Sequence, residues 1–200
     1  NVILNKIMNK KNQLCEIDEI LNSSFKVIKD LDSISPEINL SINEIVKCIK
    51  NKKKIILFGN GGSAADAEHI AAELIGRFNL ERQSYPAISL TSNSSIITAL
   101  ANDYSFDISF SRQCQCLVNT GDVVIGISTS GNSKNVQKAL LISKKKGAIT
   151  IGLLGNKGGI IRKVTDISII VNSNSTPRIQ EAHRLIYHVI CEIVEKKLNK

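Results

Sequence analysis

The sequence predicts an α/β protein with a doubly wound, mainly parallel five-stranded sheet flanked by helices. From about residue 53 onward, short apolar runs closed by glycine or polar residues alternate with segments of helical periodicity, which is typical of a parallel sheet covered on both faces. A long stretch of helical spacing follows the last apolar run. The five candidate strands are IILFG, AISL, DVVIGIS, AITIGLLG and DISIIV, at residues 55–59, 87–90, 122–128, 148–155 and 166–171.

The N-terminal part of the chain carries two stretches of helical spacing that contain no glycine. The first runs from Ile17 to Ile28 and the second from Ile38 to Ile49, with Pro36 between them. We therefore expect residues 1–52 to form an N-terminal helical segment and residues 53–200 to form the α/β core. The length of the chain suits one core, so we expect a single domain over 1–200.

Helices are also predicted between the strands, beginning near Ala64, Ser95, Ser133 and Gly158. A final stretch from Thr176 to Leu198 repeats apolar residues at helical spacing, and Pro177 suits the first turn of a helix. The last predicted element is therefore a long C-terminal helix.

Composition narrows the classes of function. The net charge of the 200 residues is +8, but aromatic residues make up only 4% and tryptophan is absent, so a base-stacking surface for nucleic acid is not expected. The five cysteines lack the C-x-x-C spacing of structural zinc sites and redox motifs. No apolar stretch approaches the roughly 20 residues of a membrane helix, and a secretory signal pattern is not seen. These features predict a cytoplasmic protein with reduced thiols and no membrane partner.

The first segment with chemical content is FGNGGSAADAEHIAAE, residues 58–73, which follows a strand and opens a helix. Gly61 and its glycine neighbours allow a tight turn and the close approach of a ligand, and the N–H groups at such a helix start can bind an anion. Ser63 is predicted to cap the helix through its hydroxyl. A plain strand-to-helix turn is the alternative, because the segment matches neither a P-loop nor the dinucleotide fingerprint.

The second segment is ISTSGNSKN, residues 127–135, again between a strand and a helix. The hydroxyls of Ser128, Thr129, Ser130 and Ser133 can donate to phosphate oxygens, and the helix start adds N–H donors and a favourable dipole. Ser133 also suits an N-cap, so a capped turn is the alternative. Two such loops at the carboxyl ends of parallel strands favour one shared ligand crevice.

The three histidines of the chain all fall within motif segments. His69 and Glu73 are four residues apart on a predicted helix, so they share a face and could hold one metal ion or a pair of substrate hydroxyls. Gln180 and His188 share a face of the C-terminal helix two turns apart. His183 lies off that face, which favours a structural role for it.

Several motifs together resemble the sedoheptulose 7-phosphate isomerases (phosphoheptose isomerases) of the sugar isomerase (SIS) fold class. They are NGGSAADAEH, ANDY at 101–104, FSRQ at 110–113, GDVVIGISTSGNS and RIQEAH, and they span nearly the whole chain. The resemblance implies an aldose–ketose isomerase that converts sedoheptulose 7-phosphate to D-glycero-D-manno-heptose 7-phosphate for lipopolysaccharide or related glycans. It also implies a homotetramer with sites between subunits.

The resemblance assigns roles residue by residue. It implies one Zn²⁺ per subunit on His69, Glu73, Gln180 and His188, with Glu73 as the catalytic base and His188 as the acid. Glu73 and Gln180 are also expected to contact substrate. The positions that would receive the sugar phosphate are Asn60, Gly61, Ser63, Ser128, Thr129, Ser130 and Ser133.

Two residues depart from the family pattern. Asn93, at an expected substrate contact, replaces an aspartate, and Glu68 replaces a glutamine. Because asparagine cannot ionise, ring opening or hydroxyl recognition could differ. Two alternatives therefore stay open: a non-enzymatic SIS protein that associates with the bacterial replication initiator, and an isomerase or sensor for another sugar phosphate.

Overall fold

A computed structural model describes the backbone of residues 2–199 and the side chains of residues 12–199. Its five strands lie within the five predicted apolar runs and form one sheet in the order β2-β1-β3-β4-β5, with every neighbouring pair parallel. The strands are β1 Ile55–Gly59, β2 Ala87–Ser89, β3 Val123–Ser128, β4 Ile149–Leu154 and β5 Ile167–Ile170. The predicted fold class is confirmed.

Seven α-helices surround this sheet in the described part of the chain. They are α1 Val2–Lys29, α2 Ser35–Lys50, α3 Gly62–Ile75, α4 Ser94–Asp103, α5 Ser109–Leu117, α6 Lys134–Lys145 and α7 Thr176–Leu198. Short 3₁₀ turns occupy Asp30–Ile34, Phe106–Ile108 and Ile161–Lys163. The two N-terminal helices and the long C-terminal helix are therefore present as predicted.

Alternate residues of the strands face two different cores. In β1, Ile55 and Leu57 pack with α2, α3 and α7, whereas Ile56 and Phe58 pack with α5 and α6 on the other face. Every residue of β1 and β3 is buried. Burial on both faces explains why these strands are continuous apolar runs in the sequence instead of alternating ones.

The prediction of a helix that begins near Gly158 is wrong, because only a 3₁₀ turn at Ile161–Lys163 forms there. Asn156, Gly158 and Gly159 have φ angles of 54°, 80° and 51°. These left-handed values are incompatible with a right-handed α-helix. The backbone of Gly158 and Gly159 instead packs closely against Gly131 in the loop after β3.

Helix α5 forms where the apolar pattern did not predict a helix. Its buried face includes Ser109, Phe110, Gln113 and Cys114. The amide of Gln113 donates to the carbonyls of Ser109 at 2.9 Å and Leu90 at 3.2 Å, so its burial leaves the amide paired. A helix face built largely from serine, glutamine and cysteine is not visible to a search for hydrophobic periodicity.

Candidate functional site

The carboxyl ends of β1 and β3 form a crevice at the centre of the sheet. The connection from β1 goes to β2 on one side, whereas β3 and the later strands extend on the other side. In an open parallel sheet this switch point is where ligands bind. The side-chain amides of Asn60, after β1, and Asn135, after β3, donate to each other at 3.0 and 2.9 Å. The two predicted anion loops therefore lie side by side.

The loop after β1 turns at Gly61, which has a φ of 56° and is the N-cap residue of α3. The predicted cap at Ser63 is therefore wrong. Ser63 lies inside the first turn, is buried, and its N–H donates to the carbonyl of Asn60 at 3.0 Å. Glycine supplies the positive φ at low cost, so the helix begins two residues earlier than a serine cap would allow.

The loop after β3 gathers serine hydroxyls at the start of α6. Ser128 Oγ lies 3.0 Å from Ser133 Oγ and 3.5 Å from Ser130 Oγ, and the N–H of Gly131 donates to Ser128 Oγ at 3.2 Å. Ser133 is the N-cap residue of α6, as predicted, but its hydroxyl faces Ser128 and makes no cap hydrogen bond. Thr129 belongs to the same loop, and its carbonyl accepts from Asn156 at 2.9 Å. Clustered hydroxyls at a helix N-terminus suit a bound anion.

Three of the predicted metal ligands form one cluster. One ligand atom from each of His69, Glu73 and His188 lies within 4.8 Å of the others, and His69 Nε2 is 2.8 Å from Glu73 Oε1. The side chains of His69 and Glu73 are 34% and 22% exposed, so the cluster is open to a small molecule. Two imidazoles and one carboxylate are the donor set of several catalytic zinc sites, which keep a further position open. The residues present therefore fit a zinc ion.

Gln180 is placed nearer the N-terminal ends of α3 and α7 than the other three predicted ligands. Helices α3 and α7 run side by side in the same direction, so that Asp66 is near Arg184 and His69 is near His188. At the N-terminal ends of the pair, the amide of Gln180 packs so tightly on Gly62 that a Cβ there would overlap it. The backbone positions of Gln180 and His188 are eight residues apart, about 12 Å along the helix axis. Its role as a metal ligand stays a prediction.

The two departures from the family pattern have local partners. Asn93 caps α4, because its Oδ1 accepts from the N–H of Ile96 at 3.1 Å. Asparagine and aspartate are both good N-caps, so the replacement keeps this contact. Glu68 is exposed and accepts from the hydroxyl of Thr91 at 3.0 Å. Neither residue is among the three that form the His/Glu/His cluster.

The surroundings of His188 favour its neutral ring. Burial lowers the pKa of His188, and the neighbouring His69 lowers it further while Glu73 opposes the shift. Burial raises the pKa of Tyr187 to about 12, so this phenol keeps its proton at neutral pH. His183, which was expected to be structural, is fully buried, and burial lowers its pKa to about 4. Neutral imidazole is the form that ligates a metal.

Sequence reasoning missed two supports of the site. Tyr187, one residue before His188, hydrogen bonds to His69 Nδ1 at 3.1 Å. Arg82 and Glu195 form a buried ion pair at 3.0 Å, and Arg82 also donates to the backbone carbonyl of Glu73 at 2.8 Å. Tyr187 and His69, like Glu195 and Arg82, lie more than 110 residues apart in the chain. Only the neighbourhood of RIQEAH could have drawn attention to Tyr187.

Within residues 2–199, no helix combines the length and the apolar character needed to cross a bilayer.

Comparison with known proteins identifies relatives of this chain in sequence and in fold. The SIS domain family matches residues 21–155. A phosphoheptose isomerase of Geotalea daltonii is 49% identical over 184 residues, which cover 92% of this chain and 96% of that protein. The solved phosphoheptose isomerase from Neisseria gonorrhoeae has a TM-score of 0.86 at 35% identity, covering 90% of this chain and 97% of its own. The one from Francisella tularensis has a TM-score of 0.89 at 32% identity, covering 92% and 98%.

Identity at this level over nearly the full length, on a shared fold and around a His/Glu/His cluster, shows that this chain belongs to the phosphoheptose isomerases, a family of SIS domain proteins.

Proposed function

We propose that this chain converts sedoheptulose 7-phosphate to D-glycero-D-manno-heptose 7-phosphate in heptose biosynthesis, for lipopolysaccharide or a related glycan. The observation that carries the proposal is the convergence of His69, Glu73 and His188 in a chain 49% identical to a phosphoheptose isomerase. A module that only binds a sugar phosphate has no evident need for this cluster. The reaction is an intramolecular redox exchange between C1 and C2 of the sugar.

The phosphate group is proposed to bind at the two loops of the crevice. The hydroxyls of Ser130 and Ser133 both lie within 3.5 Å of Ser128 Oγ, at the start of α6. Hydroxyl donors and the positive end of the helix dipole both favour a dianion. Thr129, Asn60, Gly61 and Ser63 complete the proposed phosphate site, while Gln180 and Asn93 are proposed to contact the sugar. Holding the phosphate fixes the distance between C1 and the proton-transfer groups.

Glu73 is proposed as the base and His188 as the acid. Isomerisation removes a proton from C1, passes through an enediol, returns a proton to C2, and takes the proton from the C1 hydroxyl as the C1 carbonyl forms. Glu73 has two carboxylate oxygens and His188 has two ring nitrogens, so each can move a proton at the atom that does not face the cluster. His188 would protonate the ketose oxygen as the C1–H bond breaks. The electron pair of that bond then forms the C1–C2 double bond of the enediol.

A zinc ion, one per subunit, is proposed to be held by His69, Glu73 and His188, with Gln180 as the fourth position. When bound, zinc supplies a Lewis acid that stabilises negative charge on the substrate oxygens. Besides the proton transfers by Glu73 and His188, the protein must hold the sugar in a fixed position.

A homotetramer in the cytoplasm with sites between subunits is also proposed. Helix α1 exposes several large apolar side chains at helical spacing: Leu14 at 55%, Ile17 at 44%, Ile20 at 55%, Leu21 at 48% and Phe25 at 64%. Contiguous exposed apolar surface of this kind favours protein–protein association. Closed symmetric assemblies are the usual outcome for bacterial enzymes that associate with themselves.

The test is direct incubation of the zinc-loaded protein with sedoheptulose 7-phosphate, with the aldose product followed by NMR. We expect turnover in the wild type and a loss of about 10²–10⁴-fold in Glu73→Gln and in His188→Ala. Glu81→Gln is the matched control, because the side chain of Glu81 is 91% exposed on the loop that follows α3. Near-normal turnover in both site variants would reject the assigned roles.

Absence of product from folded, zinc-loaded wild type would reject the proposed reaction. It would favour another sugar phosphate, or the non-enzymatic relative that associates with the replication initiator. Asn93→Asp would then be the next variant, since it restores the residue type of the family at that position.

A further inference from the structure

Tyr187 contacts two of the three residues of the proposed metal site. Its hydroxyl lies 3.1 Å from His69 Nδ1, and its ring centroid lies 5.4 Å from that of His69 in an edge-on arrangement. The ring also meets His188 edge-on, with centroids 4.8 Å apart and planes at 89°. Tyr187 is 1% exposed, so one rigid side chain limits the rotation of both imidazoles.

A carboxylate lies on the far side of the phenol. Tyr187 Oη is 3.4 Å from Asp66 Oδ1, and that oxygen is 3.6 Å from Arg184 Nη2. Asp66 is 4% exposed, whereas the side chain of Arg184 is 56% exposed. The groups therefore form a line from the surface to the site: Arg184, Asp66, Tyr187 and His69.

The position of the proton on the imidazole of His69 sets the direction of the hydrogen bonds along this line. His69 Nε2 is the nitrogen that faces Glu73, at 2.8 Å, so it is the nitrogen available to a metal ion. A neutral imidazole that ligates through Nε2 carries its proton on Nδ1. That N–H then donates to Tyr187 Oη, and the phenol O–H donates onward to the Asp66 carboxylate. His69 and Tyr187 each donate one proton along this line, and the Asp66 carboxylate accepts at its end.

We propose that Tyr187 is a positioning residue, which fixes the ring orientation and the Nδ1–H tautomer of His69 by relaying its hydrogen bond to Asp66. The inference rests on the proposed metal site and extends it to a second layer of residues. Partners of this kind orient metal ligands and raise their basicity, and their loss typically weakens metal affinity or activity about 10–100-fold.

The test measures zinc affinity and does not depend on turnover. The dissociation constant of the full-length protein for Zn²⁺ is determined by competition with a chromophoric chelator. Tyr187→Phe keeps the ring and removes only the hydroxyl, and we expect it to weaken zinc binding by about 10–100-fold. Tyr85→Phe is the matched control, since Tyr85 is 7% exposed and its hydroxyl accepts from Asn199 at 2.7 Å, a residue outside the cluster. We expect the control to bind zinc within about twofold of the wild type.

A double-mutant cycle separates positioning from general loss of stability. Asp66→Asn alone should weaken zinc binding, but in the Tyr187→Phe background it should have little further effect, because the relay is already broken. Wild-type affinity in Tyr187→Phe, equal losses in Tyr187→Phe and Tyr85→Phe, or additive effects in the cycle would each overturn the inference. Failure of the wild type itself to bind zinc would instead overturn the proposed metal site, and the inference with it.

Discussion

Replacing Glu195 by glutamine should destabilise the fold more than any comparable change on the surface of α7. Glu195 accepts the backbone N–H groups of Phe78, Asn79 and Leu80 at 3.0, 2.8 and 2.9 Å, and Arg82 Nε at 3.0 Å. Both charged side chains are nearly inaccessible, at 2% and 1% exposure. Glutamine keeps one acceptor oxygen but turns an NH₂ group toward donors that need an acceptor.

The expected magnitude follows from what the variant leaves behind. Arg82 would stay buried without its counter-charge, and breaking a buried pair in this way costs about 3–5 kcal/mol. For a chain of this size that corresponds to a fall in Tm of roughly 6–20 °C. The substitution should also disturb the His/Glu/His cluster. Arg82 donates to the carbonyl of Glu73, and Phe78 packs against His188 with ring centroids 5.7 Å apart.

Thermal unfolding at fixed protein concentration, in the presence of a chelator, is the assay. Glu192→Gln is the control, because Glu192 lies on the same helix, 41% exposed, in a surface pair with Lys196. Such pairs contribute about 0–1 kcal/mol, so this variant should unfold close to the wild type. Equal Tm values for the Glu195 and Glu192 variants would refute the account of the buried pair.

The same carboxylate predicts a pH dependence. Burial would raise the pKa of Glu195, but the backbone N–H groups of Asn79, Phe78 and Leu80, with Arg82, outweigh it and hold the pKa below its usual 4.5. A lowered folded-state pKa gives stability that is present above pH of about 4.5 and is lost as the pH falls through the folded value. The Glu195→Gln variant should lack this acid-sensitive contribution.

Three further predictions concern the crevice, the surface and the core. Ser133→Ala should lower kcat/KM by about 10–100-fold, through loss of a hydrogen bond to phosphate, and a change under twofold in steady-state kinetics would contradict the phosphate assignment. Phe25→Glu should reduce the mass measured by light scattering if α1 lies in a subunit interface, and an unchanged mass would exclude that. The pKa of His183 falls from 6.5 to about 4 on folding, because the ring is buried. The wild type should therefore lose up to about 3 kcal/mol of stability as the pH drops between those values. Denaturant unfolding of His183→Gln should not show that loss.

Much of the fold could be read from local patterns. Parallel strands buried on both faces must be short apolar runs, and the helices that cover them must carry apolar residues with a period of 3.6. All five strands and most helices were therefore predictable. The pattern failed where polar residues are buried with satisfied hydrogen bonds, as at Gln113 in α5. It also failed where backbone conformation depends on close packing, as at Gly158.

The sequence by itself determined the strands, the two polar loops after β1 and β3, and the pairing of His69 with Glu73, because each depends on residues only a few positions apart. The tertiary structure alone decided that α3 and α7 run in parallel, which brings His188 to that pair and sets Gln180 beside Gly62. It alone placed Tyr187 on His69 and Glu195 on Arg82. Contacts between residues more than 110 positions apart follow from how the helices pack on the sheet, and no local periodicity encodes that packing.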